Sequence, residues 1–268
     1  MNDVANAQGE PSNAAQLGSP SYRLAILDPD FLVSEAMRGV RFQVEFEKAD
    51  RVMAAWGVAS TLVVFGSSRV RVDGPGRQPI WYSQARSFAR IASRRGGAFL
   101  LGPGERHNVV ATGGGPGIME AANRGAADVG APSIGLNINL PREQVPNAFS
   151  TPELTFKFHY FALRKMHFAM RASALVVFPG GFGTFDELFE ILTLRQTAKA
   201  PPIPIVLFDE AFWRSVINFA EMEAAGMISK EDLLLFSFAE TAEGVWNTLV
   251  DGGVRPEGDP AWEDNQDS

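Results

Sequence analysis

The sequence predicts an α/β protein, a doubly wound parallel sheet covered by helices on both faces. Three observations carry this. Short apolar runs recur, among them TLVVF (61–65), SIGLNI (133–138) and ALVVF (174–178). They lack the in–out alternation of a half-exposed strand. Helix-length segments separate them, the pattern of strand–helix–strand units. Three of the runs end in clusters rich in glycine: Gly66-Ser67-Ser68, Gly113-Gly114-Gly115-Pro116-Gly117 and Pro179-Gly180-Gly181-Phe182-Gly183. Open parallel sheets hold ligands at such strand ends.

The elements follow in order. Residues 1–20 are small and polar with Pro and Gly breaks, and read as a disordered tail. An N-terminal extension, 21–58, holds a helix over 34–56, with Ser34 as its N-cap and a loose apolar stripe. The main domain spans 59–252. Its strands are expected at 61–65, 108–112, 133–138, 154–158, 174–178, 203–208 and 233–236. Its helices are expected at 81–95, 117–129, 159–172, 184–198, 210–225 and 239–250. Residues 253–268 read as an acidic disordered tail.

Composition narrows the function classes. Of 268 residues, 46% are hydrophobic and 21% charged, which suits a folded core. There is no cysteine, so neither a disulfide nor a thiolate site is available. The net charge is −7, and the last 16 residues, with five acids against Arg255, hold −4 of it. No overall basic footprint marks a nucleic-acid binder. No run reaches the ~20 apolar residues of a membrane helix, and the start lacks the features of a secretory leader. A cytoplasmic protein is the expectation.

The segment ALVVFPGGFGTFDELFE is the most informative. A buried strand runs into a glycine loop and then at once into a helix. Glycines let backbone approach a ligand, and a helix start offers unpaired N–H groups with a partial positive charge. With Thr184 as cap and hydroxyl donor, residues 179–184 read as a phosphate cradle. Asp186 and Glu187 would fall in the first helical turn. For Asp186, favourable interaction with the helix dipole is the simpler account; Glu187 is the functional acid. The sister segment TGGGPGIMEAANRGA (112–126) fits neither the G-x-G-x-x-G dinucleotide fingerprint nor a P-loop. Two such loops at adjacent strand ends would nevertheless open into one crevice, with Gly66 and Ser67 at a third. Glu120 could face that crevice or merely complement its helix dipole. Arg164, Lys165 and Arg171 lie on a predicted helix just before the second glycine loop, and Arg164 is the one expected to reach the ligand. His159 and His167 lack metal-site spacing and read as packing residues; His107 reads as a loop residue.

These residues resemble a known family. GGGPGIMEAANRG, LRKMHF and PGGFGTFDE, in this order, are similar to the LONELY GUY (LOG) cytokinin riboside 5'-monophosphate phosphoribohydrolases, long labelled "possible lysine decarboxylase". The resemblance covers roughly residues 60–250 and is strongest to the longer bacterial members, through GLNINLPREQVPN. It implies a Rossmann-like fold and hydrolysis of a nucleoside 5'-monophosphate to free base and ribose 5-phosphate. It implies a catalytic pair, Arg164 and Glu187. It implies substrate contacts from the loop Gly180, Gly181, Phe182, Gly183, Thr184 and Asp186, from Lys165, and from a further glutamate for which Glu143 is the nearest match; Gly66, Ser67, Gly114 and Gly115, at the other strand ends, are expected to contact the substrate as well. It implies no cofactor, no metal and a homo-oligomer, a dimer or larger. Glu120 stands where short members have glycine, so the cytokinin nucleotide, AMP, or another purine or pyrimidine monophosphate fits as substrate. Lysine decarboxylation is a poor reading, because no lysine here has the pocket of a pyridoxal phosphate Schiff base. A non-catalytic nucleotide or cofactor carrier of the same superfamily is the alternative. A dinucleotide-dependent oxidoreductase is disfavoured by the failed fingerprint.

Overall fold

A computed structural model of the protein describes residues 12–99, 105–140 and 145–256. The chain divides into two compact units, residues 1–44 and 45–268. Most of the expected tails, and Glu143, lie outside the described residues.

The first unit holds α1 (Ala14–Leu17), α2 (Pro29–Val33) and the start of α3 (Arg38–Ala55). Asp28 caps α2, its Oδ1 accepting from the Phe31 N–H at 3.3 Å. The expected helix at 34–56 starts later than the sequence suggests. Ser34 makes no side-chain cap and leads instead into a short 3-10 turn, Glu35–Met37.

The second unit is a seven-stranded, all-parallel sheet in the order β4-β3-β2-β1-β5-β6-β7. The strands are β1 (Thr61–Phe65), β2 (Val109–Thr112), β3 (Ser133–Ile138), β4 (Thr155–Phe158), β5 (Ala172–Val177), β6 (Ile205–Phe208) and β7 (Ser237–Ala239). Helices α4 (Gln78–Arg95), α5 (Ile118–Ala127), α6 (Phe161–Met170), α7 (Phe182–Gln196), α8 (Glu210–Val216), α9 (Phe219–Ala224) and α10 (Ala242–Asp251) complete it. Every residue of β1, β2, β3 and β6 is buried, which explains why their sequences are mostly apolar and do not alternate. The edge strands β4 and β7 are only partly buried. Strand order reverses between β1 and β5, the switch point where sheets of this type open a crevice.

Close packing has visible causes. A Cβ on Gly125 would run into the Arg86 carbonyl, so the glycine lets α5 approach α4. Phe178 stacks on Phe208 at 4.7 Å, behind the β5 and β6 ends. The second half of α3 steadies α6. Glu45 accepts from the His159 and Tyr160 N–H groups at 2.9 and 3.0 Å, just ahead of α6. Asp50 pairs with Arg171 at its far end at 2.8 Å, and Phe46 stacks on His167 at 4.9 Å. His167 is buried, and burial, aided by Arg171, holds it below the usual histidine range.

Two expectations fail near the C-terminal end. LLLF (233–236) is not a strand; Glu231–Leu235 form a 3-10 turn and β7 begins only at Ser237. The segment 210–225 is two short helices, α8 and α9, separated at Ile217 and Asn218.

Candidate active site

The loop after β5 builds the site. Gly181 precedes α7 in extended backbone, and no side chain caps the helix. Thr184 is therefore the third helical residue rather than the expected cap. It is buried, and its side chain fills the space that a Cβ on Gly180 would need. Among the described residues no side chain accepts from the first N–H groups of α7, and residues 181–185 line a cavity of about 820 Å³ at the switch point. Asp186 and Glu187 sit in the second turn of α7, not the first, so the macrodipole explains neither.

Two neighbouring loops meet this one. The Ser67 N–H donates to the Pro179 carbonyl at 3.1 Å, and the Ile118 N–H donates to the Ser67 carbonyl at 3.1 Å. Gly117 has φ +72, and a Cβ there would strike the Ser67 carbonyl. Gly117 is the N-cap of α5, and Pro116 immediately precedes it. Below the glycine run, the Asn123 Oδ1 accepts from Thr112 Oγ1 at 2.7 Å and from Asn147 Nδ2 at 2.9 Å. Asn147 Nδ2 also reaches the Gly115 carbonyl at 3.0 Å. This buried amide network fixes the loop.

The cavity has two characters. Met119, Ile138, Leu140, Phe161 and Val216 form an apolar part; Ser67, Ser68, Arg69, Asn137, Arg164, Thr184 and Glu187 supply polar groups. Gly66, Gly181, Phe182 and Gly183 also line it, and Phe182 is 97% exposed. At its wall Arg164 Nη2 donates to Glu187 Oε1 at 2.5 Å. The guanidinium lies over the Phe161 and Phe168 rings, 5.4 and 5.7 Å from their centroids. Burial pushes the Glu187 carboxyl up to about 7, even though Arg164 pulls the other way. A carboxyl poised there exchanges a proton near neutral pH.

The remaining expected residues are placed as follows. Lys165 Nζ donates to Asp186 Oδ1 at 2.9 Å and lies 3.0 Å from Glu190. Burial opposes the charge on Lys165, but these two acids outweigh it and raise its pKa. Lys165, Asp186 and Gly180 are outside the cavity lining, as are Gly114 and Gly115; Gly113 lines it instead. Glu120 accepts from Tyr82 Oη at 2.8 Å and does not line the cavity either.

Sequence reasoning passed over Arg69 and Asn137. Both carried a signal. Arg69 directly follows a strand-end Gly-Ser-Ser turn, and Asn137 is a carboxamide between Leu136 and Ile138 in a strand read as buried. Asn137 Oδ1 is buried without a hydrogen-bond partner among the described residues.

Comparison with known proteins bears on this arrangement. The family model described as "Possible lysine decarboxylase" matches residues 119–249. A probable cytokinin riboside 5'-monophosphate phosphoribohydrolase of Oryza sativa subsp. japonica is 25% identical over 151 residues, 53% of this chain and 67% of that protein. One from Arabidopsis thaliana is 26% identical over 117 residues, 42% of this chain and 53% of that protein. The chain is similar to the LOG family. A bifunctional cytokinin biosynthesis protein of Fusarium pseudograminearum is 33% identical over 78 residues, 29% of this chain and 16% of that protein. The match therefore spans from about a sixth to two thirds of the length of these curated proteins. Among solved structures, a molybdenum cofactor binding protein from Rippkaea orientalis is 15% identical. It aligns with a TM-score of 0.49 over 72% of this chain and 96% of that one.

Proposed function

We propose that this protein hydrolyses the N-glycosidic bond of a nucleoside 5'-monophosphate, releasing the free base and ribose 5-phosphate. The observation that carries the reading is the Arg164–Glu187 pair at 2.5 Å in the wall of the switch-point cavity. The uncapped start of α7 opens into that same cavity. Similarity to the LOG phosphoribohydrolases supports it.

The chemistry follows from the placement. The 5'-phosphate accepts N–H groups from residues 182–184, as anions do at helix starts. The ribose then lies toward Glu187, and the base against the apolar part of the cavity. Cleavage of the C1'–N bond leaves the bonding pair on the base nitrogen and positive charge on the sugar, an oxocarbenium-like state that a nearby carboxylate stabilises. Water adds its oxygen to C1' and passes a proton to Glu187, which hands that proton on to the departing base nitrogen and is left ionised for the next turnover. Arg164 orients Glu187 throughout. A general base of this kind contributes on the order of 10²–10⁴-fold. Binding energy from the remote phosphate positions the reacting carbon.

The base is adenine or an N6-substituted adenine, the substrate class of the cytokinin phosphoribohydrolases. A homo-oligomer in the cytoplasm is part of the same reading; the half-exposed Met166 and Met170 on α6 are apolar side chains that a partner copy could cover. The test is incubation with AMP, isopentenyladenosine monophosphate and other 5'-monophosphates, with chromatographic separation of products. Free base and ribose 5-phosphate are expected; no base release across the panel would refute the proposal.

A further inference from the structure

We infer that Arg69 is the cation that receives the substrate's 5'-phosphate, and so makes this site one for phosphorylated ligands. The inference rests on the N-glycosidase reading and deepens it.

The argument starts from charge. Among the described residues lining the cavity, three are charged: Arg69, Arg164 and Glu187. Arg164 and Glu187 are spent on each other at 2.5 Å. The unmatched charge of that lining is therefore the guanidinium of Arg69. The connection between β1 and α4 carries three arginines. Arg71 makes a two-pronged pair with Asp73 at 3.0 and 3.1 Å. Arg77 pairs with Asp209 at 2.6 Å. Arg69 makes no side-chain hydrogen bond or ion pair among the described residues, although it is the one of the three that lines the cavity.

The backbone under Arg69 is fixed. Its N–H donates to Ser67 Oγ at 3.0 Å. Ser67 is itself tied to Pro179, two residues before the N-cap of α7. The next residue, Val70, is buried. The side chain thus springs from a rigid turn bound to the loop that leads into α7. A dianion on the first N–H groups of α7 still has oxygens to satisfy, and a guanidinium fork supplies paired donors to such oxygens.

The test uses the full chain, with Arg69→Ala and Arg69→Lys beside the wild type. Calorimetry measures binding of ribose 5-phosphate, AMP and adenosine; base release from AMP is measured in parallel. The expected result is a loss of about tenfold or more in affinity for ribose 5-phosphate and AMP in Arg69→Ala, the scale of a lost hydrogen bond to a charged group. Adenosine affinity stays unchanged, Arg69→Lys recovers part of the loss, and wild-type phosphate affinity falls as salt rises. Four outcomes overturn the inference: wild type that binds no ribose 5-phosphate, undiminished phosphate binding in Arg69→Ala, equal loss for AMP and adenosine, or Arg69→Ala that turns over AMP with wild-type kcat/KM. The last three leave the glycosidase reading standing so long as the wild type releases base from AMP. Conversely, Arg69-dependent binding of ribose 5-phosphate without base release supports Arg69 and removes the glycosidase.

Discussion

Replacing Glu187 with Gln should make the protein more stable, and increasingly so as the pH rises. The carboxyl is held in a largely dry wall, and its pKa moves from 4.5 to about 7 because burial outweighs the attraction of Arg164. A raised acid binds its proton more tightly in the folded state than in the unfolded one. Stability therefore falls as pH climbs from 4.5 to about 7, and the penalty is full above that. At 1.36 kcal/mol per pH unit, the ionised carboxylate costs folding on the order of 3 kcal/mol above pH 8. At pH 5.5 the same group costs only on the order of 1 kcal/mol. Gln mimics the protonated acid, keeps an acceptor for Arg164 and carries none of this penalty. Urea unfolding of both proteins at pH 5.5 and 8.5 reads the difference, since other titrating groups cancel in the comparison. The variant should gain about 2 kcal/mol more at the higher pH. A variant less stable than wild type at pH 8.5, or a gap that does not change with pH, would show that the ion pair is net stabilising and that Glu187 is not poised near neutrality.

Three further expectations follow from other parts of the frame. If Glu187 is the base, kcat/KM for AMP should rise with pH up to about 7 and level off above it; a profile that falls through that value would make it an acid instead. Gly117→Ala places a Cβ at φ +72 against the Ser67 carbonyl. It should cost about 2 kcal/mol or more, lower Tm by several degrees in calorimetry and weaken nucleotide binding. Asp209 is fully buried and takes hydrogen bonds from Arg77 at 2.6 Å, Trp81 at 2.7 Å and the Phe212 N–H at 3.1 Å. Asp209→Ala should lose about 2–3 kcal/mol in urea unfolding, with Asp209→Asn recovering part of it through the retained cap.

The strands that sequence located to the residue are apolar-rich runs with no in–out alternation. TLVVF and SIGLNI are buried throughout, on both faces of the sheet, so nothing but a central parallel strand accounts for them. LLLF misled because a short apolar run does not distinguish a strand from a turn packed by one side only. Leu234 is 82% exposed there, and the sheet is continued by Ser237–Ala239. The start of α7 misled for a different reason. Thr184 is a good capping residue by type, but the helix begins two residues earlier at Phe182 and buries the threonine against Gly180. The meeting of Arg164 with Glu187 across 23 residues was legible through motif resemblance. The freedom of Arg69 was not, because it depends on Arg71 finding Asp73 and Arg77 finding Asp209, a pairing 132 residues apart. No local pattern encodes such a partition of charges.

The most direct test of the account is a crystal structure of the Glu187→Gln variant with AMP bound. The phosphate should lie on the N–H groups at the start of α7 and the C1'–N9 bond against residues 164 and 187. A nucleotide bound outside the cavity, or one whose phosphate sits on Arg164 with its sugar turned away from residue 187, would contradict it.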